Sequence, residues 1–225
     1  MHIEAGVVAG AKMLLSYGTA AGVLGLSVKL AYDNMKENTL LSLILKSVIA
    51  TIVVFTSFEI LPHYPIGVSE VHLILGTSIF LVLGLAPAAI GLALGLAIQG
   101  LFFAQFDLPQ YGINVTTLLA SMLVLNLAVK KIVPAKTAYK DISYSQMLKM
   151  SVVWQGAVVS WVAFWAIYGQ GFGAENLSSV FTFASVYMGV VIIEPIIDMV
   201  ILTAVKAFNK TNECFMLFDK RLCKA

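Results

Sequence analysis

Three histidines, His2, His63 and His72, are the residues of this chain best suited to holding a metal ion. A histidine in second position is unusual in what it permits. The α-amine of Met1, the intervening amide nitrogen and the His2 imidazole can reach one ion through fused chelate rings, and that donor set is planar. In-plane nitrogen donors suit Ni(II), Cu(II) and related ions, whereas Mg(II) and Ca(II) prefer oxygen. A bulky second residue also disfavours removal of the initiator methionine, so the Met1 amine is expected to survive. Taken alone, a histidine at position 2 is weak evidence, because most such occurrences are chance. His72 stands at the mouth of a long apolar run, organised between Ser69 and Asn114, which closes on Gln99, Asp107 and Asn114.

Other polar residues are weighed against plainer roles. His63 lies in the proline-bounded stretch Leu61-Pro62-His63-Tyr64-Pro65, where a solvated or packed loop histidine is the more frequent outcome than a ligand. Glu59, Glu70 and Asp107 could form an acidic entrance that concentrates cations. Glu194 and Asp198 are one helical turn apart inside an apolar stretch, and acids placed there are functional candidates by default. A structural bond to a backbone group or to Tyr187 is an equal alternative for them. Cys214 and Cys223 lack the CxxC spacing of zinc or redox sites and read as free thiols in a cytoplasmic tail.

The elements that must position these residues are membrane helices. Sixty percent of residues are hydrophobic, 12% are charged and the mean hydropathy is +0.92, which a soluble domain does not show. The chain therefore reads as an all-α integral membrane protein. Apolar segments recur from Val7 to Phe208, and the first lacks the basic leader and short core of a cleavable signal. About seven transmembrane helices are expected, near Val7–Tyr32, Leu40–Leu61, Val71–Leu85, Pro87–Phe106, Ile113–Val133, Met147–Tyr168 and Ser179–Phe208, each approaching the roughly 20 residues that span a bilayer core. Pro87 fits a first helical turn better than an interior, so the third helix is short and could begin as a re-entrant piece. Residues 1–208 are expected to form one transmembrane domain carrying the N-terminal metal segment, and residues 209–225 a cytoplasmic tail.

Basic residues set the expected orientation. Of the 14 Lys and Arg, five (Lys130, Lys131, Lys136, Lys140, Lys149) flank the fifth-to-sixth connection and five (Lys206, Lys210, Lys220, Arg221, Lys224) lie near the C-terminus. Those segments should be cytoplasmic. The loops 62–70, 107–112 and 169–178 contain no Lys or Arg but carry Glu70, Asp107 and Glu175. With an odd number of spans the N-terminus is outside, the C-terminus is inside, and the histidines lie on or near the outer face. Lys12, in the outer part of the first helix, would have to snorkel outward. Gly18 with Gly22 and Gly91 with Gly95 have the GxxxG spacing that lets helix backbones approach, within the chain or against a second membrane protein.

Several separated stretches resemble one family. Met1-His2-Ile3, Gly67-Val68-Ser69-Glu70-Val71-His72-Leu73, Ile98-Gln99-Gly100-Leu101-Phe102-Phe103 and Tyr111-Gly112-Ile113-Asn114 together are similar to the cobalt/nickel-specific substrate-binding component of energy-coupling factor transporters. The resemblance covers most of the chain. It implies an N-terminus folded back into the bundle, with the ion held by the Met1 amine, the amide and imidazole of His2, and His72. Gln99 and Asn114 resemble the positions that line or brace the site. Departures mark this as a divergent member: the usual G-T-S-x-H has one residue more here, Glu70 and Val71 standing between Ser69 and His72. Where the family often has a His seven positions before a Glu followed by Gly, this chain has Tyr187, Glu194 and Pro195.

The resemblance implies a component of the prokaryotic cell (inner) membrane that captures Ni(II) or Co(II) outside and releases it inward, with a link to cobalamin biosynthesis. Nothing resembling a P-loop is present, so ATP hydrolysis would belong to partners. By resemblance these are a transmembrane coupling protein and a pair of cytoplasmic ATPase subunits, often with a small accessory membrane protein. The metal would be the transported substrate, and no organic cofactor or nucleic-acid partner is expected. Two other classes remain open from sequence: an intramembrane metalloenzyme using Glu194 as acid/base, and a metal sensor or storage protein. Against the enzyme, a fully nitrogen-ligated planar site leaves little room for an activated water.

Overall fold

The computed structural model describes residues 2–208 and 216–223. Met1 and Cys214, both singled out above, lie outside the described residues. Eight helices carry the architecture: α1 (Met13–Glu37), α2 (Leu40–Phe55), α3 (Gly76–Leu83), α4 (Leu85–Phe102), α5 (Tyr111–Ile132), α6 (Tyr144–Gln170), α7 (Ala174–Tyr187) and α8 (Val190–Phe208). A short helix, α9 (Lys220–Cys223), follows in the tail. Among the described residues six helical stretches are long and apolar enough to cross a membrane, α7 and α8 counting together as one.

Local chemistry sets the ends of these helices. Thr39 caps α2 by accepting from the Ser42 N–H, and Ser143 opens α6 with a reciprocal capping box to Gln146. Gly84, at φ +93°, makes the tight turn from α3 into α4, and Pro87 falls in the first turn of α4, where its missing N–H has no intrahelical role. The last span begins at Ala174 and breaks at Met188-Gly189, one to two turns before Pro195. Pro195 lies inside α8, where it leaves the Val191 carbonyl without its helical N–H partner.

The third segment departs from a plain span. Residues 64–71 form a hairpin, β1 (Tyr64–Ile66) against β2 (Ser69–Val71), and residues 72–75 are irregular until α3 starts at Gly76. An eight-residue helix rises only about 12 Å. The segment thus begins as unwound backbone and finishes as helix, a discontinuous form like that found where a span lines a binding site. Gly76 permits this: a Cβ there would lie 2.4 Å from the buried Trp154 indole.

Helix α5 is the axis of the core, with α1, α4 and α6 packed around it. Gly91 and Gly95 let α4 press onto α2, since a Cβ at either would meet Ala50 or Val54 below 3 Å. A Cβ on Gly18 or Gly22 would meet nothing within 4 Å among the described residues, so no described neighbour uses that GxxxG face of α1. The two ends of the bundle differ. Lys12 donates to the Gly169 carbonyl at the end carrying the hairpin, a distance of 2.8 Å, which answers how a lysine is tolerated there. At the opposite end the Asp219 N–H donates to Val82, Arg221 lies over the Tyr139 ring and donates to the Pro134 carbonyl, and Leu222 is buried.

Candidate metal centre

The N-terminal residues fold back along β2 and extend the hairpin. Ile3 bridges Ser69 in antiparallel sense, the Glu70 N–H donates to the His2 carbonyl and the Glu4 N–H to the Val68 carbonyl, each at 3.0 Å. The Ser69 hydroxyl donates to the same His2 carbonyl, and the buried Asn114 side chain of α5 accepts from the Ile3 N–H at 3.0 Å. This register sets His2 opposite Glu70. Side chains directly across a ladder share a face, and so do residues two apart on a strand. His2, Glu70 and His72 therefore project together.

They meet on one oxygen. Glu70 Oε2 lies 3.0 Å from His2 Nδ1 and 2.9 Å from His72 Nε2, and one ligand atom from each of the three falls within 4.8 Å of the others. Both histidines are buried. Burial pushes the imidazoles down, His2 to about 4 and His72 to about 2, with Glu70 only partly opposing the shift. Burial of Glu70 works against its charge, but the hydrogen bonds from His2 and His72 outweigh this and hold its carboxyl below the usual carboxylate range. An ionised carboxylate only accepts, so each imidazole donates through the nitrogen that faces it. Two neutral rings around one charge result, with His2 Nε2 and His72 Nδ1 buried without a partner.

Aromatic rings wall the site. The end of α2 widens into a π-helical turn, Thr56–Ile60, and sends buried Phe58 edge-on to His2 and His72, with centroids 5.2 and 4.9 Å away. Such turns recur at functional sites. His63 stacks on His72 at 4.8 Å and its Nδ1 bonds the Leu61 carbonyl, so it covers the outer face of the pair instead of joining it. Leu75, at φ +57°, holds the unwound stretch below His72 in a left-handed conformation that costs a leucine about 1–2 kcal/mol.

The remaining residues read from sequence divide. Gln99 of α4 faces His2, and its Oε1 is buried without a hydrogen-bond partner, so it lines the site. Asn114 braces the N-terminal segment. Asp107 is buried before α5; its charge interacts with that of Glu70, but it is not one of the three converging ligands. Glu194 is buried away from them, accepting from Ser151 and Gln155 of α6. Sequence reasoning placed Glu70 at an entrance and missed it as the meeting point of the histidines; the signal was its spacing of two from His72 in a strand.

The chain matches the family described as the cobalt uptake substrate-specific transmembrane region, over residues 2–211. It belongs to that family. No curated protein matches this cobalt-uptake family member. A solved structure described as the crystal structure of a transition metal transporter is similar in fold, with a TM-score of 0.68 over 94% of this chain and 95% of that one, at 16% identity. The family assignment makes the chain a transmembrane component of transition-metal uptake.

Proposed function

We propose that the protein captures Ni(II) or Co(II) at the outer face of a prokaryotic inner membrane and passes it inward with separate energy-coupling subunits. One observation carries this reading: His2 and His72, 70 residues apart, are brought to one buried carboxylate oxygen by the back-folded N-terminus. The ligands are the Met1 amine, the His2 amide nitrogen and Nδ1, and His72. His2 Nδ1 is the ring nitrogen that closes a six-membered chelate with the amide, and it already points into the cluster.

Loading replaces protons by the ion. The His2 Nδ1 and His72 Nε2 protons leave the faces turned to Glu70 and are taken up on each ring's other nitrogen, so the rings stay neutral, while the Met1 amine and the His2 amide each give up a proton to solvent. The amide anion and the Glu70 carboxylate together then match the two positive charges of the ion, which favours a divalent cation in a buried site. In-plane nitrogen favours Ni(II) and disfavours Zn(II), which prefers tetrahedral donors.

The loops without Lys or Arg lie at the end of the bundle that holds the histidines, which supports placing that end outside. The basic end, where α9 packs, faces the cytoplasm and offers the coupling protein and ATPases their side. Uptake of radioactive nickel into cells tests the reading. Wild type should accumulate nickel only with the coupling ATPases co-expressed, and His2→Ala or His72→Ala should abolish uptake. Accumulation without any ATPase, or unchanged uptake by both variants, overturns it.

A further inference from the structure

Below the histidines, where α3 begins, several buried oxygen atoms have no hydrogen-bond partner. Glu194 and Asp198 of α8 lie against the start of α3: the Gly76 N–H is near Glu194 and the Ser78 N–H near Asp198, and the Ser78 hydroxyl donates to Asp198 Oδ1 at 2.5 Å. Glu194 Oε2 also accepts from Ser151 and Gln155. The other carboxylate oxygens, Glu194 Oε1 and Asp198 Oδ2, are buried and unpartnered. So are Gln155 Oε1, whose amide is bonded to Glu194, the Tyr187 hydroxyl, which senses the Glu194 charge, and the hydroxyl of Thr77 between Gly76 and Ser78.

A helix start supplies roughly half a positive charge, too little for two carboxylates inside a membrane. Unsatisfied buried acceptors of this number call for a bound species. The orphaned acceptors are oxygens, two of them carboxyl oxygens, while the Trp154 indole N–H beside Gly76 is an unpartnered donor at the same place. Once a cation displaces the carboxyl protons, these oxygens are the donor set of a hard or borderline divalent ion at moderate affinity. We propose that Glu194 and Asp198, with Gln155, Tyr187 and Thr77, form a second, oxygen-lined site for a divalent cation within the membrane.

This inference rests on the capture reading for its purpose and deepens it. His72 and Gly76 are four Cα steps apart along the unwound segment, so their Cα atoms are at most about 14 Å apart. Nitrogen holds a transition metal tightly at the outer face, and oxygen holds it weakly on the way in. A weak second site lets the ion leave.

Equilibrium dialysis of the purified full chain, first loaded with Ni(II), against Mn(II) tests this, because Mn(II) prefers oxygen donors. Wild type should retain one Mn(II) beyond the nickel. Glu194→Gln and Asp198→Asn should each weaken Mn(II) retention at least tenfold with nickel loading unchanged, which also reports that they fold, and Gln155→Leu should weaken it less. His2→Ala should lose nickel and keep Mn(II), so the two sites fail independently. No bound Mn(II) in wild type, or equal retention by the carboxylate variants, overturns the second site whatever becomes of the first.

Discussion

Glu70 sets how His2 and His72 wait for an ion. By holding both N–H groups toward one charged oxygen, it keeps the rings turned inward and neutral, since burial has already moved their titration far below neutrality. A proton count follows from this. At pH 6 the α-amine, titrating near ~7.7–8.0, and the amide each release one proton on metal binding, whereas neutral imidazoles release none in net, a total of about two per ion. Histidines at the ordinary value of ~6.5 would raise the total above about three. Nickel titrations at pH 6 in buffers of different ionisation enthalpy should give about two; a count above three means that the histidines are charged before loading. His2 and His72 were legible in the sequence because a second-position histidine permits a fused amine, amide and imidazole chelate and because the motifs around both resemble a metal-binding family; scarcity alone would have included His63. Glu70 was not, because its role depends on a strand register fixed by residues 68 positions away.

At the level of elements, hydropathy located the long spans, and Pro87 pointed to a short third helix that could begin as a re-entrant piece, but the hairpin and the irregular residues before α3 were not legible. The stretch from Val71 to Leu75 is as apolar as a helix would be, yet it is not helical. Its neighbours are held by pairing to the chain's first residues, and Gly76 lets Trp154 close over the helix start, partners that no window of hydropathy contains. The N-terminal segment is itself pinned from behind. A Cβ on Gly169, at the end of α6, would lie 1.9 Å from the Val7 carbonyl oxygen, a backbone atom that cannot move without shifting the segment. Overpacking of this kind costs about 1–3 kcal/mol. Gly169→Ala should therefore weaken nickel binding about tenfold or more although it contacts no ligand, as calorimetry on the purified variant would show. Unchanged affinity would mean that the seating of residues 2–8 does not govern the site.

Over the whole molecule, the bundle separates a histidine end from a basic end. In a chain carrying Cys214→Ser and Cys223→Ser, a cysteine at exposed position 173 should react with an impermeant thiol reagent added outside, and one at exposed position 136 only after permeabilisation. Reaction of both from the same side would refute the orientation. The central claim is that the free N-terminus is part of the metal site. It is tested most directly by calorimetric nickel titration of the purified protein beside the same protein carrying an acetyl group on the Met1 amine. That modification leaves His2, Glu70 and His72 in place and removes the amine as a donor. The account predicts tight one-to-one binding by the native chain and loss of at least two to three orders of magnitude in affinity, roughly 3–4 kcal/mol, in the acetylated one. Equal affinity in the two would place the ion on His2, Glu70 and His72 alone and contradict a site built on the N-terminus.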